Sequence, residues 1–148
     1  MVAKWIGNSI NIFISMALIP GIIWSFEATL ITGQLFSFLS FIGVILLFGL
    51  NLLFYISFTL MLGTFFNNPG PVAGIPMVFN FTQQFLLSIP FAEYFLPTSI
   101  FLRTTGNPII VSIILGEEIL SFIPIIISAV MVIIFLVIAI WRFEKEEF

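Results

Sequence analysis

The sequence contains no cysteine, no histidine and no aspartate: its seven acids are all glutamate, against four lysines and arginines. Without cysteine there are no disulfides, no thiolate metal ligands and no thiol redox chemistry. Without histidine and aspartate, most nucleophilic triads and imidazole-based acid–base arrangements lose a required member. Four cations do not make a basic nucleic-acid surface. Charge of either sign is scarce, at 7% of residues, where a soluble domain carries about a quarter. The surface that would face water is missing.

What is present is apolar. Apolar side chains make up 61% of the sequence, aromatics 17%, and the mean hydropathy is +1.28. Residues 5–26, 28–92 and 119–141 contain no Glu, Lys or Arg. A helix crossing a bilayer needs about 20 mainly apolar residues. These windows predict an all-α fold: a polytopic membrane helical bundle, one transmembrane domain over residues 1–148, with spans near 5–24, 41–62, 72–89 and 119–141. The apolar run after Lys4 has no small-x-small cleavage pattern, so it reads as a retained helix.

Punctuation between the spans is uneven. Trp5, Trp24 and Trp141 fall at span ends, where an indole prefers the membrane interface. Residues 27–34 read as a short connection. Residues 35–66 would make a helix of about 48 Å against a hydrocarbon core of about 30 Å, so an interfacial start at 35–40 is expected, with one long tilted helix as the alternative. Asn67-Asn68-Pro69-Gly70-Pro71 is the clearest turn. Gly70 and Gly74 form a G-x-x-x-G, but Pro71 inside it favours a turn over a helix-pairing face. Gly43, Gly49 and Gly63 mark close packing or flexibility. Residues 91–118 hold Glu93, Arg103, Glu117 and Glu118 between helix breakers, and predict short interfacial or re-entrant helices on one membrane face. Those charges are expected to be solvated. The tail from Trp141 reads as an interfacial stop, anchored by Arg142.

Four spans place both termini on one side. Lys4, Arg142 and Lys145 flank the termini and Arg103 falls opposite, so the positive-inside rule puts both ends in the cytoplasm, in the plasma membrane. The candidate site is made of amides. Asn80, Gln83 and Gln84 share a helix face by their spacing, and Asn51 lies at similar depth in the second span. They either line a substrate path or hydrogen-bond between helices, and the second is the more common use. Asn8, Asn11 and Ser15 form a second stripe, expected to pack. No charged group lies deep in a span, which disfavours proton relays and voltage sensing. No metal set and no catalytic cluster is visible, and the chain is not expected to be an enzyme.

Five stretches resemble the permease subunits of ABC transporters of the ABC-2 type. They are Lys4-Trp5-Ile6-Gly7-Asn8; Phe54-Tyr55-Ile56-Ser57 through Thr64-Phe65-Phe66 into the turn at 67–74; Gln83-Gln84-Phe85; Tyr94-Phe95-Leu96-Pro97; and Ala139-Ile140-Trp141-Arg142-Phe143 leading to Glu147-Phe148. The resemblance implies alignment with the last four of six spans, re-entrant helices before the final one, and cytoplasmic termini. It also implies a dimer of permeases, surrounded by lipid, driven by a separate ATP-binding subunit that contacts the chain near Lys4, Trp5 and Asn8. The chain itself shows no Walker-type G-x-x-x-x-G-K-[ST], and no cofactor is expected. The family's turn often carries basic residues where this one has none. A non-transporting membrane scaffold or regulatory subunit is the alternative from another class.

Overall fold

In a computed structural model, the structure describes the backbone of residues 2–32 and 37–147. Side chains are described throughout except at 2, 24, 25, 27–29, 31, 32, 146 and 147. Among the described residues the chain is helical, with no strand. Helix α1 (Val2–Phe13) runs through a π-helical stretch (Ile14–Leu18) into α2 (Ile19–Thr32). Helices α3 (Phe38–Phe65), α4 (Pro69–Leu86), α5 (Ile109–Leu115) and α6 (Ile123–Glu147) follow. Two 3₁₀ turns, Ala92–Tyr94 and Pro97–Ile100, lie between α4 and α5.

Among the described residues, three helical stretches are long and apolar enough to cross a membrane: Ala3–Ile23, Phe38–Phe65 and Ile123–Lys145. The fourth expected span is not among them. Its helix, α4, has 18 residues, about 27 Å, but prolines crowd its first half and Asn80, Thr82, Gln83 and Gln84 interrupt its second. Polar groups that suit contact between helices lower its apolarity as a single segment.

Several boundaries also move. The connection expected at 27–34 is helical through Thr32, while Gly33, Gln34, Leu35 and Phe36 lie outside the described residues. Helix α3 takes the long alternative, with 28 residues and about 42 Å, because nothing after Ser37 breaks it. The turn shrinks to three residues, Phe66 to Asn68. Phe66 is extended, the Asn68 carboxamide oxygen accepts the Gly70 N–H at 3.0 Å, and Pro69 occupies the first helical position, where no N–H is needed. Gly70 and Gly74 are therefore both helical, and Pro71 does not exclude a helix-pairing face. Helix α6 runs on past Trp141 to Glu147. Arg142 ties it to α3: its Nε–H donates to the Thr64 carbonyl at 3.0 Å, and its guanidinium lies 4.4 Å from the Phe65 ring centre.

Helices α3 and α6 share the largest interface. Its centre is aromatic: Phe54 and Phe135 are buried, Phe54 stacks with Phe79 of α4 at 6.0 Å, and Phe58 with Phe135 at 4.9 Å. Helix α1 reaches α3 at Gly49, where a Cβ would overlap the Phe13 ring. Gly43 likewise lets Ile113 of α5 approach, whereas Gly63 is open.

Because α4 is about 15 Å shorter than α3, it leaves a space beside the first half of α3. Residues 91–118 fold back into it. Ile100 and Ile109 pack on Leu47 of α3, and the Pro97–Ile100 turn also touches α4, α5 and α6. Pro97, Thr98, Ser99 and Ile100 are all buried. The short helices expected here are present and pack against the bundle.

Candidate functional site

Re-entrant backbone creates a hydrogen-bonding demand inside apolar surroundings. A 3₁₀ turn leaves N–H groups without intrahelical acceptors, and in a water-poor interior each needs a partner. Two side chains supply acceptors, one to the buried Pro97–Ile100 turn and one to the exposed bend at Thr104 and Thr105.

The first is Gln83. Its position on α4 turns it toward the bundle, where it is 1% exposed. Its Oε1 accepts the Thr98 N–H at 3.1 Å, and its Nε2 donates to the Tyr55 hydroxyl at 3.4 Å. The Tyr55 O–H in turn donates to Asn80 Oδ1 at 2.9 Å, one helical turn along α4. One chain of bonds thus links α3, α4 and the re-entrant turn. Tyr55 lies ten residues before the end of α3 and Asn80 eleven after the start of α4, so the two helices run antiparallel in register.

The second is Glu93. The expectation that this carboxylate is solvated is wrong: it is 4% exposed. Its oxygens accept from the Thr104 N–H at 3.2 Å, the Thr104 hydroxyl at 3.1 Å, the Thr105 N–H at 3.3 Å and the Thr105 hydroxyl. The Thr104 proton is shared with the Leu87 carbonyl, 3.2 Å away at the end of α4. The Thr105 hydroxyl above all, helped by the other three donors, holds the Glu93 carboxyl below the usual carboxylate range, while burial opposes the shift.

Arg103 does not pair with this carboxylate. Its Nε and Nη2 are buried without hydrogen-bond partners, and its guanidinium lies over the Tyr94 ring at 5.1 Å. Among the other charges of this segment, Glu117 is exposed and accepts from Asn107 Nδ2 at 2.7 Å. Glu118 is exposed, as expected.

Of the amides singled out from the sequence, Asn80 and Gln83 meet through Tyr55. Asn51 is half-buried and makes no side-chain hydrogen bond among the described residues, and Gln84 is exposed on the outer side of α4. Lys4 and Asn8 are exposed. Trp5 turns inward from the expected interface: its indole N–H donates to the fully buried Ser57 hydroxyl at 3.2 Å, and its ring packs on the aromatic core. Trp141 is 57% exposed, and the Trp24 side chain lies outside the described residues. The stripe of Asn8, Asn11 and Ser15 faces away from the bundle, with Ser15 bonded back to the Asn11 carbonyl at 2.8 Å. Sequence reasoning missed Tyr55 and Thr98. Tyr55 carried a usable signal, being one of only two tyrosines and placed inside an apolar run.

Away from the amide chain, a cavity of about 410 Å³ lies between the α1–α2 helix, α3 and α5, walled by Met16, Pro20, Val44, Phe48, Phe101 and Ile114 among others. Its wall is almost entirely hydrocarbon. Among the described residues no cluster of acids has metal-binding geometry. Comparison of the chain with protein-family models, with curated proteins and with solved structures finds no match.

Proposed function

We propose that the chain is the membrane-spanning subunit of an ABC-type exporter. In this reading it moves its substrate with energy from ATP hydrolysed by a separate subunit, and it performs no catalysis itself. Two copies work with two ATP-binding subunits in the cell membrane, with α4 as a fourth crossing and both termini cytoplasmic. The observation that carries the reading is the re-entrant segment, buried between α4 and α6 against α3. Non-helical backbone at such depth is tolerated where protein covers it or where it lines a path, and transport proteins use it in both ways. The in-register antiparallel pairing of α4 with α3 supports the fourth crossing, since a helix bonded beside the middle of α3 reaches the same depth. The exposed Lys4 and Asn8 are offered as the partner contact.

The test is co-expression with the ATP-binding subunit encoded beside this chain, followed by purification in mild detergent. A stoichiometric complex whose ATP hydrolysis depends on this chain is expected. A stable, folded chain that binds no such subunit would overturn the proposal. That outcome would favour a non-transporting scaffold, a reading with its own support: Asn80 and Gln83 are engaged in hydrogen bonds to Tyr55 and the Thr98 backbone.

A further inference from the structure

The cavity between the α1–α2 helix, α3 and α5 adjoins the one irregular turn of the first span. Pro20 has no N–H to give, and in a regular helix its ring would collide with the carbonyl four residues back, at Met16. The helix widens instead. Ile14–Leu18 is π-helical, and the Ile19 N–H reaches back five residues to the Ile14 carbonyl. Met16, Ala17 and Pro20 of this stretch all stand in the cavity wall.

Three features select an occupant. The first is chemistry. Ser40 supplies the only polar side chain among the described residues that wall the cavity. Its volume of about 410 Å³ is more than twice the roughly 150 Å³ at which an apolar cavity already stays dry and takes in a benzene-sized molecule. The second is shape. Along α3 the wall runs from Ser40 to Phe48, eight residues or about 12 Å. That is close to half of a hydrocarbon core of about 30 Å, the depth filled by the chains of one leaflet. Both long walls belong to stretches apolar enough to cross a membrane, Ala3–Ile23 and Phe38–Phe65, so the space runs in the direction that lipid chains run. The third is access. Met16, Pro20 and Phe48 are exposed at the rim, Met16 by 64% and Phe48 by 42%, whereas Ala17, Val44 and Ile45 at the back are buried. The cavity opens sideways, toward lipid.

We propose that this cavity holds one acyl chain of a bilayer phospholipid as a resident part of the bundle. Its ester end lies toward Ser40, near the start of α3, where the hydroxyl can donate to the ester carbonyl. Its methyl end lies against Phe48 and Phe101, whose ring centres are 5.0 Å apart. The inference needs the α1–α2 helix and α3 to cross the membrane, and it holds whether or not the chain transports anything.

The test places the full chain in phosphatidylcholine vesicles doped with a phosphatidylcholine that carries a diazirine on one acyl chain. After illumination, labelled residues are located by mass spectrometry. With the diazirine near the ester, label is expected on Ser40 and Phe41; with it at the chain end, on Phe48 and Phe101. Leu39 and Leu46, 80% and 62% exposed on the same helix but outside the cavity, report the surrounding lipid at the same depth. Ala17→Leu and Ile114→Phe fill the cavity from two walls. Both are expected to abolish labelling at Val44 and Phe48 while Leu39 and Leu46 stay labelled as before. Native mass spectrometry of the chain washed in mild detergent is expected to show one retained phospholipid, lost in both filled variants. Should either variant misfold, the label pattern of the unaltered chain against Leu39 and Leu46 still decides. Cavity labelling no stronger than at those two positions, unmoved by the diazirine position or unchanged by filling would overturn the proposal. So would retention of a free fatty acid in place of a phospholipid.

Discussion

The half of the bundle near the Asn67–Asn68 turn and the half holding the re-entrant segment are built on different physics. Near the turn, continuous helices meet mainly through carbon: Phe54, Phe58, Phe79 and Phe135 interleave, and the polar ties include the indole bond to Ser57 and the Arg142 bond to the Thr64 carbonyl. In the other half the chain abandons regular helix, and side chains must serve as acceptors for displaced backbone N–H groups. Gln83 takes Thr98, and Glu93 takes Thr104 and Thr105. A helix satisfies its own backbone and asks only for apolar neighbours. Irregular backbone asks in addition for specific hydrogen-bond partners from elsewhere in the chain.

The contrast can be broken most forcefully at Phe54. Phe54→Ala should lower stability by about 3–5 kcal/mol in a detergent–lipid unfolding titration, because a fully buried ring leaves a cavity among other rings. Backbone exchange should rise in α3 and α6 together. If it rises only in residues 91–118, the halves are not distinct.

Glu93→Ala should cost about 1.5–3 kcal/mol, the range for hydrogen bonds to a charged group, with faster amide exchange confined to residues around 87–108. The same carboxylate predicts a pH dependence. Its native pKa is depressed, so its contribution is complete above the unfolded-state value and disappears as pH falls through the lower native value. Protection of the Thr104 and Thr105 amides, relative to their intrinsic exchange at each pH, should therefore be lost only in strongly acidic buffer, and Glu93→Gln should abolish that dependence. A loss of protection near neutral pH would contradict the hydrogen-bonded assignment.

Smaller effects sharpen the comparison. Gln83→Leu should cost about 0.6–2 kcal/mol and expose the Thr98 amide to exchange. Asn51→Leu should change stability by no more than about 0.5 kcal/mol, since Asn51 has no partner to lose. A larger loss at Asn51 than at Gln83 would reverse the ranking of the amides.

The helical class, the three long apolar helices and the short helices before α6 were legible from the distribution of charge and of helix breakers. The ends were less so. Nothing local stops α2 before Thr32 or α3 after Ser37, and a pattern of apolar residues does not record how long a helix stays continuous. The status of Glu93 was illegible because its donors, Thr104 and Thr105, are eleven and twelve residues away in sequence and are unremarkable loop residues there. Asn80 and Gln83 were visible as a pair, because α-helical spacing is a property of one segment. Their junction with Tyr55 was not, since it spans two segments.

By itself, then, the sequence determined that this chain is helical, apolar and without thiol or imidazole chemistry, for those are properties of composition and local period. Tertiary structure alone decided which amides are consumed in packing and which faces outward, and that Glu93 is buried while Trp5 turns in. Each of those outcomes depends on which atoms stand within about 3 Å of each other, and only the packing of distant segments sets that distance.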